Sequence, residues 1–199
     1  MGFRMIVADK FVWYHLGKTG GKTTRALIKL IEDESKREFF SGKDHHRNKA
    51  QFEEKYLESL DGKVPVVGFR RLIDFMHSYY FQQFPSHRKP CDCIREGKIM
   101  LRNGKKIMPD KILTNYVHNF YEEDDVEFLR LENIFEDFCR VFESYNFNKE
   151  KLLELSNVKV GFRKYDRLNL SESEIANVYN LNPIWKSLET KLYGGILLK

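Results

Sequence analysis

A short β-prone run, Phe11-Val12-Trp13-Tyr14-His15, is followed at once by three glycines, Gly17, Gly20 and Gly21. Beyond them Leu27, Ile28, Leu30 and Ile31 recur at helical spacing, while Lys29, Glu32 and Asp33 supply a wet face. Strand, glycine turn and helix in that order leave few folds open. Glycine admits backbone conformations closed to other residues, and the helix start presents unpaired N–H groups and partial positive charge to whatever lies in the turn.

The pattern recurs. The first helix is expected over residues 23–36; Val64–Phe69 reads as a second buried strand, leading through Arg70-Arg71 into a helix over 72–83. Residues 126–131 read as a third strand ahead of a helix over 134–145, whose Phe135, Phe138, Val141 and Phe142 form an apolar stripe. A polar excursion over 35–62 carries a helical stretch at 52–60. After Asn157 a basic loop runs to Arg167, and two helices close the sequence, the first with Ser171 as cap and Glu174 in capping-box position. Strands alternating with helices predict an α/β fold, three layers αβα around a mostly parallel central sheet. The 199 residues suit a single domain spanning 1–199, with residues 85–110, rich in Pro, Gly, Lys and Arg, as a long loop or lid.

A hydrophobic share of 42%, with 16 Phe and 10 Tyr, supplies a core. Lys and Arg number 34 against 29 Asp and Glu, a net charge of +5 that favours anionic partners. The basic residues are interleaved with acids instead of gathered with aromatics on one element, which argues against nucleic acid. No apolar run approaches the about 18 residues of a membrane span, and the first ten residues lack a signal-peptide core, so a cytoplasmic protein is expected. Cys91, Cys93 and Cys139 are too few and oddly numbered for a disulfide framework, and C-x-C without a second ligand pair gives no zinc signature.

The chemistry lies in His15-Leu16-Gly17-Lys18-Thr19-Gly20-Gly21-Lys22-Thr23-Thr24. Turned amides, a helix N-terminus, lysines and hydroxyls make a cradle for phosphate or sulfate. The nucleotide-triphosphate loop G-x-x-x-x-G-K-S/T requires a glycine where this chain has Leu16. The segment instead resembles the 5′-phosphosulfate loop of the carbohydrate-type sulfotransferases, H-x-P-K-T-G-G-T-S/T, with Gly17 in place of Pro and Lys22 in place of Thr. That resemblance implies a P-loop-like sulfotransferase fold and a co-substrate, 3′-phosphoadenosine 5′-phosphosulfate (PAPS), held by Gly17, Lys18, Thr19, Gly20, Gly21, Lys22, Thr23 and Thr24. Lys18 would be the catalytic cation at the bridging oxygen.

A second segment is similar to the same enzymes' 3′-phosphate motif, R-D/N-P-x-x-R-x-x-S-x-Y. Arg70 and Ser78 stand eight positions apart, as that motif requires, while Leu72 occupies its Pro position and Phe75 its second Arg position, leaving Arg71 to supply some of the missing charge. The resemblance implies that Arg70 and Ser78 grip the 3′-phosphate. Between the two motifs lie His45 and His46, where uronosyl 2-O-sulfotransferases place a catalytic histidine; His46 is the preferred base, with His45 beside it and Glu53 and Glu54 as fallbacks. An imidazole titrates close to neutral pH and suits removal of a hydroxyl proton. Farther on, Arg130-Leu131-Glu132-Asn133-Ile134 to Phe138 resembles a conserved strand-to-helix segment of these enzymes, in which Glu132 and Asp137 read as structural. The expected reaction is metal-independent transfer to a hydroxyl acceptor, such as an anionic carbohydrate, which the basic and aromatic residues 79–106, among them His87, Arg88 and Lys89, would meet. The alternatives are a P-loop phosphotransferase or NTPase using Lys22 and Thr23 with Mg²⁺, and a non-catalytic nucleotide-binding protein of the same fold.

Overall fold

Alternating apolar strands and a glycine turn give the elements their order. A computed structural model of the chain describes residues 4–8, 10–31, 38–40, 62–87, 89–116, 125–145, 147–157 and 168–196. In chain order the elements are β1 (Arg4–Val7), β2 (Phe11–His15), α1 (Gly21–Ile28), β3 (Glu38–Phe40), β4 (Val64–Phe69), α2 (Leu72–Gln83), a 3-10 turn (Asp92–Ile94), β5 (Ile99–Met100), β6 (Lys106–Ile107), α3 (Pro109–Tyr116), β7 (Glu127–Arg130), a second 3-10 turn (Leu131–Asn133), α4 (Ile134–Val141), α5 (Lys149–Asn157), α6 (Glu172–Asn180) and α7 (Pro183–Tyr193). They group into two units, Met1–Phe69 with Tyr116–Phe162, and Arg70–Asn115 with Arg163–Lys199.

The first unit is α/β, built on a sheet of order β3-β1-β2-β4-β7. β2, β4 and β7 run parallel, whereas β1 pairs antiparallel with both β2 and β3. The sheet is therefore mixed, where the alternation of elements predicts a mostly parallel one. The cause is local: β1 returns into β2 through a tight reversal in which Ala8 N–H donates to Phe11 C=O at 2.9 Å, and a hairpin needs no crossover helix.

Register sorts the strand side chains by face. Ile6 opposite Trp13, Trp13 beside Val66 and Gly68 beside Leu129 share one face, which packs against Leu27 and Ile28 of α1 and Ile134 and Phe138 of α4. Phe142 closes this core, its ring centroid 4.8 Å from both Phe11 and Phe138. Each such aromatic, once removed from water, contributes about 1.5–3 kcal/mol. The alternate residues Val12, Tyr14, Val67 and Phe69 are buried as well, which is why these strands read as continuous apolar runs.

Two helices are shorter than the sequence pattern predicts. α1 stops at Ile28, and the chain tightens through Leu30 N–H to Leu27 C=O before Ile31 pairs antiparallel with Phe147. Leu30 and Ile31 thus reach the core from a turn and a bridge. α4 stops at Val141, and a further turn carries Tyr145 against Phe11, 5.7 Å between centroids. The helical stretch expected at 52–60 and the basic loop at 158–167 lie outside the described residues.

In the second unit α2 has the bounds its sequence predicts, and every residue from Leu72 to Phe81 is buried, the polar Asp74, His77 and Ser78 included. α6 opens on the expected capping box: Ser171 Oγ accepts from Glu174 N–H, and Glu174 accepts from Ser171 N–H. α7 is capped from another element, since Asp110 of α3 accepts from Ile184 N–H and Trp185 N–H, both at 2.9 Å. Residues 85–110 hold short local structure, a 3-10 turn and the β5–β6 hairpin. Among the described residues no helix is long and apolar enough to cross a membrane.

Candidate functional site: an anion cradle and an arginine-led helix

The cradle is the turn between β2 and α1, inside the first unit. Leu16 C=O accepts both Thr19 N–H, at 3.4 Å, and Thr19 Oγ1–H, at 2.6 Å, so Thr19 staples the turn from a buried position. That closure holds Lys18 at φ 75°, the single non-glycine residue with positive φ among the described residues. A lysine pays about 1–2 kcal/mol to sit there, and strain of this kind concentrates at functional turns. Gly20 follows as the N-cap of α1 at φ 84°.

No side chain caps α1 and no acid lies in its first turn. The N–H groups of Gly21, Lys22 and Thr23 precede the first intrahelical bond, Thr24 N–H to Gly20 C=O at 2.9 Å, and so remain unsatisfied by the helix itself. With the helix dipole behind them they suit an anion. Thr23 is half-buried and Lys22 exposed at this start, whereas Thr24 is fully buried with its hydroxyl turned back on Gly20 C=O at 3.3 Å. Thr24 therefore braces the loop from inside.

The walls are close. A β-carbon on Gly21 would collide with the His15 ring, and one on Gly68 of β4 would stand 2.7 Å from Thr19 Oγ1. The side chain of Leu131, which opens the 3-10 turn after β7, closes on Gly20 in the same way. The sequence gives no sign that Gly68 and Leu131 belong to the loop's walls, because only the fold brings them there. Beyond Leu131, Asp137 accepts from Arg130 N–H at 2.7 Å and from its guanidinium at 2.9 and 2.7 Å, which fixes the β7–α4 junction and gives Asp137 the structural role expected of it.

Arg70 and Ser78 belong to the second unit. Arg70 precedes the N-cap, Arg71, so helical periodicity does not set its direction as the eight-residue spacing alone suggests; Ser78 lies within α2 and is buried. Leu72 and Phe75, the two departures from the motif, are fully buried, Phe75 with its ring centroid 4.4 Å from that of Trp185. Arg71 is engaged elsewhere: its guanidinium donates to Glu189 Oε1 at 3.0 Å and lies over the Tyr193 ring at 4.2 Å. His77, fully buried, accepts from Leu168 N–H at its Nε2, which leaves Nδ1 to donate to Ile73 C=O; it is a neutral core histidine.

His45, His46, Glu53 and Glu54 lie outside the described residues, as does Arg88. His87 is hydrogen-bonded through Nδ1 to the Tyr80 hydroxyl at 2.6 Å and stacked on Phe84. Among the described residues no three His, Cys, Asp or Glu side chains gather as metal donors. Burial, with Cys91 beside it, pushes the Cys93 thiol up to about 12. No protein-family model, curated protein or solved structure matches the chain.

Proposed function

We propose that the chain is a sulfotransferase of P-loop-like fold that uses PAPS and a hydroxyl acceptor. The observation that carries the proposal is the start of α1: an uncapped helix, free of acid in its first turn, entered through a turn that holds Lys18 at positive φ. These residues suit the 5′-phosphosulfate end of the nucleotide, with the amides of Gly21, Lys22 and Thr23 and the Thr23 hydroxyl as donors and Lys18 as the cation. Arg70 and Ser78 would hold its 3′-phosphate. When bound, PAPS supplies an activated sulfuryl group. The chain's own contribution is orientation and charge stabilisation at the leaving phosphate, in the manner of phosphoryl-transfer enzymes. His46, with His45 beside it, is the proposed base for the acceptor hydroxyl, and Lys18 and His46 are the proposed catalytic residues.

A triphosphate loop is disfavoured by position 16, where its first glycine belongs: Leu16 is buried and its carbonyl is the acceptor that closes the turn. Calorimetry separates the two. Adenosine 3′,5′-bisphosphate is expected to bind without metal and more tightly than ATP with Mg²⁺; the reverse order would overturn the proposal.

A further inference from the structure

Arg70, Arg71 and Leu72, the first residue of α2, are each hydrogen-bonded to α7. Trp185 Nε1–H donates to Arg70 C=O at 3.1 Å. Glu189 Oε2 accepts from Leu72 N–H at 2.8 Å, and its Oε1 accepts from Arg71 Nη1 at 3.0 Å and from the Tyr179 hydroxyl at 2.8 Å. Residues 185 and 189 are four apart on one helix and so share a face. Two side chains on that face thus hold two backbone groups, Arg70 C=O and Leu72 N–H, together with the guanidinium of the residue between them.

This is more than a helix cap needs. A Ser, Asp or Asn at the N-cap would satisfy the first amides, but the N-cap is Arg71, which makes no such bond. The cap is instead a fully buried carboxylate brought from another helix. Burial pushes its carboxyl up, against the pull of Leu72 N–H, the Tyr179 hydroxyl and Arg71. A buried carboxylate is costly to keep unless it is well bonded, and two of its bonds go to the two residues just after Arg70, the Arg71 guanidinium and Leu72 N–H. The α7 helix is itself seated by Asp110, so the clamp has a fixed base.

We propose that Glu189 and Trp185 are positioning residues for Arg70, setting the backbone from which its guanidinium meets a 3′-phosphate. The inference rests on the nucleotide assignment given above. It identifies what makes that arginine selective for a 3′-phosphorylated nucleotide, given that the motif's second arginine is here a buried Phe75.

The test compares two probes, adenosine 3′,5′-bisphosphate and adenosine 5′-monophosphate, by calorimetry. Glu189→Gln, which keeps an acceptor for Leu72 N–H but removes the charge that holds Arg71, is expected to weaken the bisphosphate roughly tenfold, the scale seen when a partner that orients a ligand-binding group is lost. The monophosphate should bind as to the wild type. In an Arg70→Ala background the same change should add nothing. Trp185→Phe keeps an aromatic ring against Phe75 and removes the donor; it should weaken the bisphosphate alone, by about threefold, and carries the test should Glu189→Gln not fold. Equal losses for both nucleotides, no loss for either, or an undiminished loss without Arg70 would overturn the inference while leaving the nucleotide assignment standing. A wild-type chain that does not prefer the bisphosphate to the monophosphate would overturn that assignment, and this inference with it.

Discussion

Lys18 joins sequence, strain and proposed chemistry in one residue. Its φ of 75° follows from the bonds that Thr19 makes to Leu16 C=O, and glycine adopts that conformation without the β-carbon's penalty. Lys18→Gly is therefore expected to be more stable than Lys18→Ala by about 1 kcal/mol in chemical denaturation, while both lose transfer activity by about a hundredfold or more. Equal stabilities would show that the turn relaxes, and retained activity would remove the cation from the mechanism. The loop was legible at this scale because its spacing is local. Gly68 and Leu131 were not, since their role is to leave room for, or close on, a loop far away in sequence. The ion pair of Arg71 was hidden for a similar reason, since its partner, Glu189, comes from the other end of the chain.

The helices divide by how their N-termini are satisfied. α6 is capped within itself by Ser171 and Glu174, α2 and α7 are capped from other helices by Glu189 and Asp110, and α1 is left without a side-chain cap at the cradle. Local caps are written in adjacent residues, so the start of α6 could be read directly; caps from other helices could not. Ser171→Ala should lower stability by about 1 kcal/mol in chemical denaturation and leave nucleotide binding unchanged; a change in binding would mean that α6 communicates with the site. α2 matched its expected bounds because apolar side chains recur through it from Leu72 to Phe81, whereas α1 was over-extended to residue 36, since Leu30 and Ile31 keep helical spacing after the helix has ended.

For the whole molecule, the parallel run β2-β4-β7 was foreseeable from repeated strand-to-helix units, and the antiparallel edge was not. β1 has four residues and β3 three, too few for periodicity to register. The proposed chemistry depends on Lys18 and Arg70 serving one nucleotide, although they belong to different units. A crystal structure with adenosine 3′,5′-bisphosphate tests this most directly: one nucleotide is predicted, its 5′-phosphate on the amides of Gly21, Lys22 and Thr23 and its 3′-phosphate on Arg70 and Ser78. A bisphosphate bound at the cradle with its 3′-phosphate in solvent, or seated away from Lys18 altogether, would contradict the account.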